Sequence, residues 1–273
     1  MPATTVLKWH GGKAYMVQEL LSLMPPHTRY CEAFFGGGAF LINKPCEGVA
    51  EWANDLNYDL TNFWSVLRDE TLFKRFSRYV ENTPFSEVEF RRYGERIKFA
   101  EHGEDVHGAV RFFVRNRQSR QGLSRDFATP TSRLRRGMNE NVSAWLTAVD
   151  GLPEIHARLR RVEIRNQDAE EFIRELDNAD TLFYCDPPYM HDTRSSTGEY
   201  GEQEMDSSQH VALLNVLTEL KGKFMLSGYR NDLYDNLANQ CGWRCVEFDR
   251  PNQASSKREK ERKTECVWMN YGA

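Results

Sequence analysis

The chain has 273 residues, 40% hydrophobic and 28% charged, with a formal net charge of -4. No apolar run reaches the length of a membrane span, and the N-terminal stretch lacks the charged-then-apolar pattern of an export signal, so an intracellular, cytoplasmic location without membrane contact is expected. Cys31, Cys46, Cys185, Cys241, Cys245 and Cys266 fall without a CxxC pair or a histidine cluster, which argues against a zinc site or a disulfide framework and predicts reduced, mostly buried thiols.

In chain order, Val17, Leu20, Leu21 and Met24 recur at helical spacing and are stopped by Pro25-Pro26. A strand over "RYCEAF" (29–34) runs into Gly36-Gly37-Gly38, and a second, "GVAEWAND" (48–55), ends at Asp55. Leu60, Trp64 and Leu67 mark one face of the next helix. From 70 to 153 the pattern predicts helices and loops without a run of parallel strands. Alternation then resumes: strand 161–168, helix 169–176, strand 181–185, helix 210–221, strand 223–229, helix 232–240, then strands 243–250 and 264–271 bracketing a charged loop. This predicts an α/β fold, an open sheet with crossover connections built from residues 1–69 and 154–273, with a mainly helical segment, 70–153, inserted. Sites on such sheets lie at the carboxyl ends of the strands.

Three strand ends carry candidate chemistry. In "EAFFGGGAF" consecutive glycines allow a tight turn and close approach to a ligand, although a plain turn would read the same way. The stretch does not match G-x-G-x-x-G, and "HGGKA" has Leu7 where a phosphate loop needs its first glycine, so nucleoside triphosphate binding is not expected. Asp55, nineteen positions after Gly36, is placed to accept hydrogen bonds from the two hydroxyls of a ribose, or to cap the next helix together with Asn57. Glycine turn and acid together favour an adenosine-containing ligand.

The third strand end is "DPPY". Two prolines stiffen the corner, so that the Asp186 carboxylate and the Pro187 carbonyl point outward as acceptors beside the Tyr189 ring. The exocyclic amine of a nucleobase offers two N–H donors and a flat π-face, a complement to that set. Accepting its hydrogens favours the electron-rich, pyramidal nitrogen of a transition state.

"KWHGGK" (8–13), "EAFFGGGAF", "NDLN" (54–57) and "DPPY", in that order, with the later "SGY" and "KTECVWMN", resemble the Dam-type, or D12-class, DNA adenine N6-methyltransferases over nearly the whole chain. The resemblance implies a class I S-adenosylmethionine-dependent methyltransferase fold with the target-recognition segment between the cofactor strands and the D-P-P-Y strand. It implies methyl transfer to N6 of a flipped adenine in double-stranded DNA, with S-adenosylhomocysteine as product, no metal and no obligate protein partner. Carried over by position, Trp9, Lys13, Glu32, Phe34, Gly36, Gly38, Asp55, Asp168 and Asp186 would bind cofactor, and Asp186, Pro187 and Tyr189 would act on the amine. His10 and Ala33 depart from the family pattern at positions to which no contact is assigned. D-P-P-Y by itself also fits N4-cytosine or RNA methylation, and the fold a non-catalytic DNA-binding protein.

Between Gly108 and Arg136 stand eight arginines against one acid, Asp126. In a chain of net negative charge this segment is suited to phosphates and guanine edges, and Arg115, Arg117, Arg120, Arg125, Arg133, Arg135 and Arg136 are the candidate DNA contacts. "NRQSRQGLSRDF" shares the Asn-Arg start and Gly-Leu of the family's DNA-contacting segment but lacks the aromatic residues of the GATC-specific enzymes, so a GATC target is not supported. Two further expectations concern loops: "KREKERK" (257–263) as a solvated hairpin or DNA contact, and "MHDTRSS" (190–196) as a loop that orders over DNA.

Overall fold

The computed structural model describes residues 6–94, 105–190, 204–251 and 262–272, which leaves "KREKERK" and most of "MHDTRSS" outside the described side chains. The strands are β1 (Arg29–Glu32), β2 (Ala50–Asn54), β3 (Leu134–Arg135), β4 (Met138–Asn139), β5 (Val162–Arg165), β6 (Thr181–Cys185), β7 (Lys223–Tyr229), β8 (Arg244–Pro251) and β9 (Arg262–Met269). The helices are α1 (Val17–Leu23), α2 (Ala39–Asn43), α3 (Tyr58–Arg68), α4 (Glu70–Glu81), α5 (Glu87–Arg92), α6 (Val106–Gln118), α7 (Glu140–Asp150), α8 (Leu152–Leu159), α9 (Ala169–Leu176), α10 (Ser207–Thr218) and α11 (Asp232–Cys241).

Seven strands form one sheet in the order β5-β2-β1-β6-β7-β9-β8, and β3 pairs with β4 apart from it. β2, β1, β6 and β7 run parallel to one another, whereas β9 is antiparallel to both β7 and β8. Every residue of β6 is buried, as a central strand covered on both faces requires, which is why "TLFYC" reads as an unbroken apolar run. From β1 the chain builds outward to β2, and from β6 in the opposite direction to β7. The order therefore reverses between β1 and β6, the place where open α/β sheets take ligands.

The chain divides into two compact units. One comprises Pro25–Phe35, Cys46–Leu56 and Arg165–Ala273, the other Met1–Met24, Gly36–Pro45 and Asn57–Ile164. The core of the first is formed by the inward faces of β1, β6, β7 and β9 against α9, α10 and α11, with Phe172, Phe183, Leu213, Phe224 and Trp268 fully enclosed. The second unit closes on an aromatic nucleus. Phe63 of α3 stacks on Phe113 of α6 at 5.7 Å, and Phe76 of α4 and Trp145 of α7 pack against Phe113. Thus α3 and α8, flanking the 70–153 segment, share a unit with its helices. The β3–β4 hairpin turns at Arg136 and Gly137, both with positive φ (55° and 74°), the geometry of a two-residue hairpin loop.

All six cysteines are reduced thiols; Cys31, Cys185 and Cys266 are buried, Cys46 and Cys245 partly so, and Cys241 is exposed, so burial holds for half of them. Among the described residues no helix is long and apolar enough to cross a membrane.

Candidate active site and nucleic-acid interface

The exits of β1 and β6 lie side by side. Glu32 is in register with Tyr184, and Ala33 N–H donates to the Tyr184 carbonyl at 3.0 Å, so the chain after Glu32 and the chain after Cys185 leave the sheet together. Glu32 is buried and accepts a hydrogen bond from the Tyr30 hydroxyl at 3.1 Å; Phe34 packs half-buried on the core. Asp186 follows β6 directly, with Pro187 buried behind it. Burial first, and then the Asp186 carboxylate, pushes the Tyr184 and Tyr189 hydroxyls and the Cys185 thiol up from their ordinary range. Tyr184 is held away from chemistry by a buried bond to Ser227 Oγ at 3.0 Å.

Tyr189 is anchored at its hydroxyl. It donates to Glu265 Oε2 at 2.7 Å, and its ring meets that of Tyr229 edge-on, centroids 4.7 Å apart. Neither Glu265 nor Tyr229 stood out as a site residue in the sequence. The available signals were an acid inside the otherwise apolar end of β9 and the tyrosine of "SGY".

Asn57 caps α3: its Oδ1 accepts from Leu60 N–H at 3.0 Å. Asp55 lies partly exposed at the end of β2 with its N–H bonded to the Arg165 carbonyl. Buried Asn54 ties the neighbouring strand ends, donating to the carbonyls of Ala33 and Gln167 and accepting from Gln167 N–H. These cross-links, with Asn166 donating to the Asp55 and Leu56 carbonyls, explain why β5 stops at Arg165 rather than running to 168. Asp168 is exposed and caps α9, Oδ1 accepting from Glu170 and Glu171 N–H, so one of its oxygens has a structural duty.

In the other unit Trp9 lies over the glycine turn. A methyl group on Gly36 would stand 2.5 Å from its Nε1 and one on Gly37 2.7 Å from its Cβ, so the turn is glycine because the indole occupies the space. The Gly36 carbonyl accepts from buried Trp64 Nε1 at 3.0 Å, and Gly38, with φ 66°, begins α2. Lys13 is buried, its Nζ bonded to the Gly11 carbonyl at 2.9 Å. The same N-terminal segment is clamped at Lys8 by buried Asn116, which accepts from Lys8 N–H and donates to its carbonyl, each at 2.9 Å.

The arginine-rich segment splits by orientation. Arg117 turns inward and donates to the Ala144 carbonyl at 2.7 Å, and desolvation drops its guanidinium to about 10. Arg115 lies over the Phe90 ring at 3.8 Å and donates to the carbonyls of Phe90 and Ser124. Two positions apart on α6, they leave the helix in different directions, and each guanidinium reaches carbonyls of the unit's own chain. Arg111 pairs with Asp59 at 3.4 Å. Arg120, Arg125, Arg133, Arg135 and Arg136 are exposed, the last three at the β3–β4 hairpin around Leu134, itself 76% exposed.

A sheet whose order reverses between a glycine-turn strand and a D-P-P-Y strand, with an antiparallel pair at one edge, is that of a class I S-adenosylmethionine-dependent methyltransferase. The family model for D12 class N6 adenine-specific DNA methyltransferases matches residues 9–250, and the chain belongs to that family. It is 28% identical over 226 residues to the DNA N-6-adenine-methyltransferase of Escherichia phage P1, covering 79% of this chain but only 28% of that protein. It is 25% identical to the Type II methyltransferase M1.LlaDCHI of Lactococcus lactis subsp. cremoris, over 97% of this chain and 94% of the relative. The Type II methyltransferase M.MjaIII of Methanocaldococcus jannaschii is 24% identical over 99% of this chain and 100% of its own length.

Proposed function

We propose that this chain methylates N6 of adenine in double-stranded DNA at specific sites, with S-adenosylmethionine as methyl donor. The observation that carries the reading is the pairing of the β1 and β6 exits at the point where strand order reverses, with Asp186 and Pro187 at the second exit. The residues suit an adenosine-bearing donor. Asp55 ends β2 partly exposed, and the side-chain-free turn at Gly36–Gly38 carries the Trp9 indole. Asp55 would hold the ribose, Trp9, Lys13, Glu32, Phe34, Gly36 and Gly38 the remainder, and Asp168 its adenine through the oxygen not used as a cap. When bound, the donor supplies a methyl group on an electrophilic sulfonium.

The chain's own residues then act on the base. Asp186 and the Pro187 carbonyl accept the two amino hydrogens, which localises the nitrogen lone pair for in-line attack, while Tyr189 stacks on the ring. A paired, stacked adenine cannot reach such a corner, so the base must leave the duplex, at a cost of a few kcal/mol. Residues 70–153 serve as the target-recognition segment within a catalytic frame of 1–69 and 154–273. Exposed Arg120, Arg125, Arg133, Arg135 and Arg136 would meet phosphates or base edges.

The test is incubation of purified chain with duplex DNA and labelled S-adenosylmethionine, followed by nucleoside hydrolysis. N6-methyladenine is the expected product; N4-methylcytosine, or labelling of RNA alone, would overturn the reading.

A further inference from the structure

We propose that Glu265 is the positioning residue for Tyr189, its buried carboxylate fixing the plane of the phenol ring on which the target base stacks. The inference rests on the role given to Tyr189 under Proposed function and adds a residue that acts through it.

Three observations support it. Glu265 lies in β9 only 5% exposed, in register with Tyr229 of β7. Its Oε2 takes the Tyr189 hydroxyl at 2.7 Å, and Tyr229 also hydrogen-bonds to this carboxylate. The Tyr189 and Tyr229 rings meet at 76°, an edge-on contact that restrains the Tyr189 ring from the side. A carboxylate is costly to bury unless donors meet it, and the two phenols do so. Burial, Asp186 and Glu265 together push the Tyr189 hydroxyl up, so it remains a donor at neutral pH.

From the side of Tyr189 the arrangement is a two-point mount. Pro187 and Pro188 stiffen the backbone just before the residue, and Glu265 holds the far end of its side chain, leaving little freedom in either torsion. Stacking on a base needs a ring face and no hydroxyl, so phenylalanine would stack as well. The hydroxyl is then explained by orientation. The acid comes from a strand 76 positions later in the sequence, which places the stacking ring under the control of the sheet rather than of its own loop.

The experiment compares Glu265→Ala, Glu265→Gln, Tyr189→Phe and the double variant Glu265→Ala/Tyr189→Phe, measuring kcat and KM on a duplex containing the target site. Both Glu265→Ala and Tyr189→Phe should lower kcat roughly tenfold or more, the scale on which misplacement of a reacting group acts, with a smaller change in KM for DNA. The double variant should be no slower than the worse single one, because both remove the same bond. Glu265→Gln, which keeps an acceptor, should recover most of the rate. Multiplying losses in the double variant, or a wild-type kcat in Tyr189→Phe, would overturn the inference. Tyr189→Phe leaves the buried acid in place, so it decides the matter even if Glu265→Ala fails to fold. Asp186→Ala is run beside them. Undiminished methylation there would overturn the functional reading itself, whereas its loss together with a wild-type rate in Tyr189→Phe would overturn the positioning role alone.

Discussion

Trp9 and Gly37 exclude each other's alternatives: the indole side chain fills the space in which any side chain at Gly37 would begin, 2.7 Å from the Trp9 Cβ. Because that clash is with the base of the side chain, Trp9 cannot swing aside without moving its backbone. Gly37→Ala should therefore displace Trp9 and weaken S-adenosylmethionine binding by about tenfold, the order of losing one aromatic contact. Isothermal titration measures this directly. Gly48→Asn, at a position with no atom within 4 Å and a φ of 72° that asparagine tolerates, should bind like wild type.

The arginines of the inserted segment should separate into two phenotypes. Arg117→Ala removes the donor to the Ala144 carbonyl and opens a packed site, so it should lower Tm, at a cost of about 1–3 kcal/mol. Arg135→Ala, on the exposed hairpin, should leave Tm unchanged and weaken DNA binding. If Arg135 meets a phosphate, its loss should reduce the salt slope of log Kd by about 0.9. Thermal melts and a salt titration of DNA affinity, run on both variants, check the pair.

Phe113 lies at the centre of the aromatic nucleus of the helical unit, fully buried against Phe63, Phe76 and Trp145. Phe113→Ala should cost about 3–5 kcal/mol through lost burial and the cavity left behind. Urea unfolding would show this as a drop in midpoint.

Lys8 gives a pH dependence with a definite sign. Desolvation, and after it the Arg117 charge, lowers its ammonium from 10.5 to about 8 in the folded chain. Between those values the unfolded chain binds the extra proton, so the contribution of Lys8 to stability rises as pH climbs from about 8 to 10.5. The stability difference between wild type and Lys8→Met should shift in favour of wild type between pH 7.5 and pH 10, measured by urea midpoints at each pH; a difference that shifts the other way contradicts the assignment.

The sequence was most readable where one residue's environment follows from its neighbours along the chain. The central strand β6 is apolar throughout because both of its faces are covered, and its prolines mark where it ends. The glycines after β1 and the acid after β2 fall at strand ends for the same local reason. Orientation was not legible. Eight arginines in one segment look alike in composition, yet helix α6 turns Arg115 and Arg117 toward the fold and the hairpin leaves Arg133, Arg135 and Arg136 exposed. Long-range partners were hidden as well. The bonds from Tyr189 to Glu265 and from Asn54 to Gln167 join residues 76 and 113 positions apart, set by sheet register and strand order, which no local pattern encodes. The two-residue strands of the hairpin were too short to leave a periodic trace.

The central claim is that the acceptors at the end of β6 perform the chemistry without being the main source of DNA affinity. The most direct measurement is single-turnover methylation by Asp186→Ala, set beside its affinity for the same duplex. Methyl transfer should be lost by a factor of about a hundred or more, the scale of removing one preorganised electrostatic group, while DNA affinity changes little. Methylation at the wild-type rate in Asp186→Ala would contradict it.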